Sequence, residues 1–294
     1  FVDAQIPCVG IEPTASTANA AEALGIKVVR EFFSKKLAEK LSERSKADLI
    51  VANNVYAHVP DLIDFTQGIE TLLNDNGTVT IEVSHVLNLL KFRQFDSIYH
   101  EHFSYYSLHA LSDVFRRNGL RVYDVEEIAT HGGSLRFYGC KENADIDENS
   151  SKLAAFADTE AGAGLRDIDT YLSLQEFANA IKDDFVAFLI EAKRANKKVC
   201  GYGAAAKGNT LINYAGVKPD LLPYICDLAE SKQGMFSPGS HIPIFGLEKM
   251  YEEKPDFVIV FPWNIAEEII SANREVCDWG GKFVTFVPER KYLT

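Results

Sequence analysis

The sequence predicts two doubly wound α/β folds in tandem, and three observations carry that expectation. Short apolar runs alternate with helical patterns from residue 6 to residue 84. That alternation lapses over residues 143–175 and returns at residue 199. The stretch "VCGYGAAAKGN" reads as a strand, a glycine-rich turn and a helix start. Strands that alternate with helices build mostly parallel sheets with helices on both faces.

Each element has its own signal. "IPCVGIEP" is a short apolar strand ending at Glu12-Pro13, and "TASTANAAEALG" is a helix with Ser/Thr at its start and Gly25 at its end. "IKVVREFF" reads as a strand and "KKLAEKLSERSK" as an exposed helix. "ADLIVANN" is nearly all apolar, as in the buried strands of a parallel sheet. "VPDLIDFTQGIETLLNDNG" predicts a helix closed by Asn76-Gly77, and "TVTIEVS" another strand. "LHALSDVFRRNG" is an amphipathic helix stopping at Gly119. "LRVYDVEEI" and "GGSLRFYGCK" follow with no helix between them, which predicts an antiparallel pair. Beyond the acidic, Ala-rich residues 143–175, "QEFANAIKDDFVAFLIEAKRANKK" spaces its apolar residues as a long helix. "LPYICDL", "DFVIVFPW" and "KFVTFVPE" supply further buried strands.

Composition narrows the function. The 294 residues suffice for two domains, and 47% hydrophobic with 24% charged is the balance of a globular chain. No run reaches the roughly 18 apolar residues of a membrane span, and no signal-peptide pattern opens the chain. A net charge of −12 argues against nucleic-acid binding, which leans on Lys/Arg surplus. The five cysteines, Cys8, Cys140, Cys200, Cys226 and Cys277, are scattered without a C-x-x-C. They predict reduced thiols, a cytoplasmic location and no zinc site in this chain.

Four constellations stand out. Glu12 in "GIEP" either ends a strand at the surface or accepts bonds from ribose hydroxyls, as acids at such strand ends do. In "VANNVYAHVPD" a buried strand opens into Asn53, Asn54 and His58, at the sheet edge where ligands bind; His58 is either a ligand contact or a structural bonder in the turn. "QFDSIYHEHFSYYS" sets Tyr99, His100, Glu101 and His102 in aromatic surroundings. If extended, Tyr99 and Glu101 share one face; if turned, Tyr99 and His102 meet. An imidazole base, an orienting carboxylate and a phenol for a developing oxyanion form an acid–base set, whereas a metal site lacks further ligands. In "VCGYGAAAKGN" the backbone N–H groups and Lys207 form an anion cradle, although the spacing is not the dinucleotide fingerprint. Asp227 in "CDLAESKQG" falls where a hydroxyl acceptor would lie.

"GIEP", "ANNVYAHVPD", "FDSIYHEHFSYYSL", "HGGSLRFY", "GYGAAAKGNTLINYAG" and "SPGSHIPI" together resemble the S-adenosylmethionine-dependent sugar C-methyltransferases. The pattern is most similar to enzymes that methylate C3 of nucleotide-linked 4-keto sugars in deoxysugar biosynthesis. The resemblance implies a truncated class I methyltransferase (Rossmann-like) domain over residues 1–145. A second doubly wound α/β domain over 146–294 would bind the nucleotide sugar, entered through a helical lead-in. The family's N-terminal zinc domain is absent here, as are the first methyltransferase strand and its Gly-rich loop, so any structural zinc belongs to that missing region. Loss of that strand would leave backbone groups unpaired at about 1–3 kcal/mol each when buried.

The resemblance also implies roles. His102 would take the C3 proton, Tyr99 would bond the enolate oxygen, and Glu101 and His58 would orient the substrate. Glu12, Asn53 and Asn54 would hold S-adenosylmethionine. Gly201, Gly203, Lys207 and Asn209 would grip the diphosphate, with Asp227 nearby, and no metal would take part. The expected partner is a nucleotide-diphosphate sugar, with neither nucleic acid nor membrane, and the expected state a monomer. Two other classes stay open: an NAD-dependent oxidoreductase using the "GYGAAAKG" turn, and a non-catalytic nucleotide-sugar-binding protein.

Overall fold

The structure, a computed structural model, describes residues 1–128 and 133–293. In chain order the elements are β1 (Val9–Ile11), α1 (Ala15–Ala23), β2 (Lys27–Val29), α2 (Lys35–Ser42), β3 (Ala47–Asn53), α3 (Leu62–Leu72) and β4 (Leu73–Ser84). Then come α4 (Val86–Lys91), α5 (Leu108–Arg117), β5 (Leu120–Ile128), β6 (Ser134–Lys141), α6 (Ser150–Gly162) and α7 (Ile168–Arg194). The rest comprises β7 (Val199–Tyr202), α8 (Ala206–Tyr214), β8 (Ile225–Cys226), β9 (Ile244–Phe245), α9 (Leu247–Glu253), β10 (Phe257–Val260), α10 (Ala266–Ala272), α11 (Glu275–Asp278), β11 (Lys282–Thr285) and β12 (Lys291–Leu293).

The chain forms two compact units, and their boundary is not a single point in the sequence. One unit holds Phe1–Val83, Phe103–Ile128 and Leu135–Thr159. The other takes in Ser84–His102 as well as everything from Glu160 on. His131 and Gly132 of the "HGGSLRFY" motif lie outside the described residues.

In the first unit β1 and β2 pair in parallel, and a four-stranded sheet runs in the order β3-β4-β6-β5. Its core gathers Ile69, Val79, Ile81, Leu111, Phe115, Leu135 and Phe137. Two expectations are corrected here. The "ADLIVANN" strand is not buried on both faces. Among the described residues β3 is an edge strand whose one neighbour is β4, and its Leu49 and Val51 stand 45% and 48% exposed. Asn76-Gly77 does not close the helix, because α3 stops at Leu72 and β4 begins at Leu73. The ladder slips between Ala47 and Leu49, and Gly77 sits where a Cβ would lie 2.8 Å from the Ala47 carbonyl. A slip that brings two backbones this close requires glycine.

In the second unit six strands run β12-β11-β10-β7-β8-β9, parallel except for the terminal β11–β12 pair. The order reverses between β7 and β10. In such sheets the crevice at that reversal, outside the carboxyl ends of the strands, is the place for a ligand. Helix α7 is longer than its apolar pattern predicts. Asp167 caps it by accepting the Asp169 N–H, Asp169 lies in its first turn and Lys193 and Arg194 in its last, all favourable to the helix dipole. Its Ile181, Phe185, Phe188 and Leu189 enter the core with Ile212, Ile225 and Ile259.

Candidate active site

The carboxyl ends of β1 and β3 carry the first group of polar residues. Glu12 follows β1 and is aligned by its N–H bond to the Val29 carbonyl (3.0 Å). Its Oε1 accepts the Thr14 N–H at 2.6 Å, the one bond to this carboxylate among the described residues. Asn53 ends β3 in register with Glu82, and its Oδ1 accepts from the Thr80 hydroxyl (3.3 Å). Asn54 has φ +57° and donates its N–H to the Glu82 carbonyl (2.8 Å). Asparagine tolerates that left-handed conformation better than most residues, which accounts for its place in this turn.

Beneath that turn lies an ion-pair network that the sequence reading missed. Glu82 is 5% exposed, and its Oε2 accepts from Arg136 Nη2 at 2.9 Å. Arg136 also reaches Glu126 (3.6 Å), which accepts from the Tyr138 hydroxyl at 2.5 Å. The available signal was charge out of pattern: Glu82 interrupts "TVTIEVS" and Arg136 interrupts "SLRFY".

His58 closes a short 3-10 turn, its N–H bonded to the Val55 carbonyl (2.9 Å) and its side chain exposed. The turn is held from below. The buried Tyr56 hydroxyl pairs with Thr66 at 2.5 Å, and the Tyr106 hydroxyl donates to the Tyr56 carbonyl at 3.2 Å. The Phe103 N–H bonds the Ala57 carbonyl at 2.8 Å.

The second group lies in the second unit. Of the two arrangements open to "YHEH", the turned one occurs. The His102 N–H bonds the Tyr99 carbonyl (3.0 Å), and the two rings lie 4.4 Å apart between centroids. Tyr99 is half-buried. Burial pushes its phenol above the ordinary value, and the charges of Glu101 and Asp96 add to that. It is therefore a neutral hydrogen-bond donor at neutral pH. His100 and Glu101 are exposed.

What fixes this turn is upstream. Phe95 is 6% exposed in the second unit's core, its ring 5.7 Å from that of Tyr214. Asp96 is 1% exposed, and its Oδ2 accepts from the Trp263 indole N–H at 2.7 Å. Neither Asp96 nor Trp263 was singled out from sequence, although Asp96 stands inside the "QFDSIYHEH" stretch.

The third group surrounds the turn between β7 and α8. A Cβ at Gly201 would lie 2.7 Å from the Phe261 ring, and one at Gly203 (φ +86°) 2.6 Å from Pro262. Both glycines are thus required by the packing of β7 against the segment after β10. Lys207 lies 4.2 Å above the Trp263 ring centre, and its buried Nζ makes no hydrogen bond among the described residues. Burial lowers its affinity for a proton, and the Asp96 charge opposes that. Asn209 Oδ1 is also buried without a bond. Asp227 is 8% exposed and fully engaged: it accepts the Ala204 N–H (2.7 Å), the Ala229 N–H (2.8 Å) and the Lys232 ammonium (3.2 Å).

No group of three or more His, Cys, Asp or Glu among the described residues is arranged to hold a metal ion, and none of the described helices is long and apolar enough to cross a membrane.

These features define a Rossmann-like methyltransferase fold accompanied by a second α/β unit. Residues 1–125 match the family described as a methyltransferase domain, and residues 129–288 match the C-methyltransferase C-terminal domain. The chain is 31% identical over 287 residues to C-methyltransferase NovU of Streptomyces niveus, spanning 97% of this chain and 68% of that protein. The chain belongs to the C-methyltransferase family, and is of the S-adenosylmethionine-dependent class. Among solved structures it resembles an S-adenosylmethionine-dependent methyltransferase of Thermotoga maritima, described as a possible histamine N-methyltransferase. That likeness has a TM-score of 0.38 and 18% identity, over 48% of this chain and 75% of that one. It also resembles the 1,6-didemethyltoxoflavin-N1-methyltransferase of Burkholderia thailandensis, at a TM-score of 0.35 and 15% identity, over 48% of this chain and 64% of that one.

Proposed function

We propose that the enzyme methylates C3 of a nucleotide-linked 4-keto sugar through an enolate. The observation that carries this reading is the Tyr99–His102 turn, in which a phenol and an imidazole lie 4.4 Å apart between ring centres. A C–H beside a ketone is removed only when a base and an oxyanion donor act together on adjacent atoms. His102 takes the proton at C3, and Tyr99, kept protonated by burial, donates a hydrogen bond to the oxygen at C4 as charge develops there. Glu101 and His58 orient the sugar. Gly201, Gly203 and Asn209 hold its diphosphate, with Asp227 fastening the turn that presents them, while the expected Lys207 contact is corrected: its Nζ is buried over the Trp263 ring.

The residues at the ends of β1 and β3 fit S-adenosylmethionine by the chemistry of their donors. One oxygen of the Glu12 carboxylate remains available to ribose hydroxyls, and Asn53 and Asn54 offer amides at the carboxyl end of β3. When bound, that cofactor supplies an electrophilic methyl group on a sulfonium. The chain's own part is to generate the carbon nucleophile and hold it in place.

The test follows exchange of the C3 proton of nucleotide 4-keto-hexoses in deuterated water, with the full-length protein and its His102→Asn variant. The parent should exchange the proton, and the variant should do so about 10²–10⁴-fold more slowly. Absence of both exchange and methylation across several nucleotide sugars would rule the reading out.

A further inference from the structure

The crevice at the reversal of strand order in the second unit is where a ligand is expected, yet a side chain of the protein itself fills it. Lys207 comes from the start of α8, just past β7, and Trp263 from the segment just past β10, the two strands on either side of the reversal. Between them sits Asp96, 1% exposed, its Oδ2 on the Trp263 indole at 2.7 Å. Among the described residues no donor reaches Asp96 Oδ1 and no acceptor takes a hydrogen bond from Lys207 Nζ. The space these residues enclose, with Leu211, Phe261 and Phe286, is about 10 Å³. That volume is room for no more than a water molecule, so the cluster is not a pocket for a substrate group. A buried carboxylate costs several kcal/mol to desolvate and is a weak source of stability even when paired. Its place in the chain gives it a use. Asp96 lies within the short 3-10 turn Phe95–Ser97, three residues before Tyr99 and six before His102.

We propose that Asp96 is a positioning residue for the Tyr99–His102 turn, held in the strand-reversal crevice by the Trp263 indole and the Lys207 ammonium. The second unit thereby fixes the catalytic turn through the crevice at its strand reversal. Phe95, packed in the same unit's core, supplies the apolar half of the anchor. Burial pushes the Asp96 carboxyl up to about 6 while Lys207, the indole and the nearby N–H groups of Asp96 and Ser97 pull it down, so the carboxylate is held by specific partners rather than by solvent. The role in catalysis rests on Tyr99 and His102 acting as proposed above; the anchoring itself does not.

The experiment uses the full-length protein and the variants Asp96→Ala, Asp96→Asn and Trp263→Phe. Amide hydrogen exchange is read without substrate at Ile98 and His102, whose N–H groups bond the Phe95 and Tyr99 carbonyls, and at Gly201 and Phe261 in the sheet. In Asp96→Ala and Trp263→Phe, exchange at Ile98 and His102 should quicken about tenfold or more with Gly201 and Phe261 unchanged. In the C3-proton assay kcat should fall about 10–100-fold with KM moving less than about threefold. Asp96→Asn, which still accepts from the indole, should recover part of both. Unchanged exchange at Ile98 and His102, or equal loosening of Gly201 and Phe261, overturns the proposal. Selective loosening in a protein whose parent exchanges no substrate proton supports the anchoring and rejects the enolate chemistry instead.

Discussion

Glu12 and Asp227 each stand directly after a parallel strand, one in each unit, and their carboxylates do different work. Glu12 accepts one backbone N–H, and its second oxygen takes no bond among the described residues. Asp227 is saturated: two backbone N–H groups and the Lys232 ammonium take its oxygens, and through Ala204 it ties down the glycine-rich turn. Asp96 extends the contrast, a third carboxylate in the second unit that is buried on internal partners. An acid at the end of a strand is thus a ligand contact only where the local backbone has not already claimed it.

Removing the side chains measures that contrast. Asp227→Ala strips three donors of their acceptor and should cost about 3–5 kcal/mol in urea unfolding. A midpoint equal to the parent's would erase the distinction between the two acids. For Asp96 the contrast is sharpened by pH. Burial raises its folded pKa to about 6 from the ordinary 3.8, so the native state holds that proton more tightly. Its stabilising contribution is whole below about pH 4 and lost as pH rises through about 6. The stability of the parent relative to Asp96→Asn should therefore fall by up to about 3 kcal/mol between pH 4 and pH 7. Lys207 and Tyr99, the ionisable groups that face it, are common to both proteins. A flat difference would mean that the carboxyl is solvated. The smallest effect belongs to the open acid. Glu12→Gln should weaken S-adenosylmethionine binding about tenfold by calorimetry, or about 1.4 kcal/mol, while changing stability by less than about 0.5 kcal/mol. A large loss of stability with unchanged affinity would make Glu12 structural, like Asp227.

Much of the fold was legible because its signals are local. Ser34, Asp61 and Ser107 cap α2, α3 and α5 through their own side chains, each accepting an N–H three residues on. Local patterns misled where a neighbour decided the outcome. "DNG" reads as a turn, yet Leu73–Ser84 forms one strand: Leu73 and Thr78 both pair with β3, and the DNG residues occupy the slip between them. "ADLIVANN" reads as buried, yet burial depends on which elements flank it, and among the described residues β3 has one neighbouring strand.

By itself the sequence determined the alternation of strands and helices, the stretch that bears Tyr99 and His102, and the positions of the acids at strand ends, since each depends on residues close together in the chain. Only the tertiary structure decided that the "YHEH" stretch turns rather than extends, that Ser84–His102 packs with the second unit, and that Asp227 is spent on backbone donors. It alone brought Asp96 to Trp263, 167 residues further on, across the crevice between β7 and β10. Such pairs are set by strand order and burial, which no short window of sequence contains.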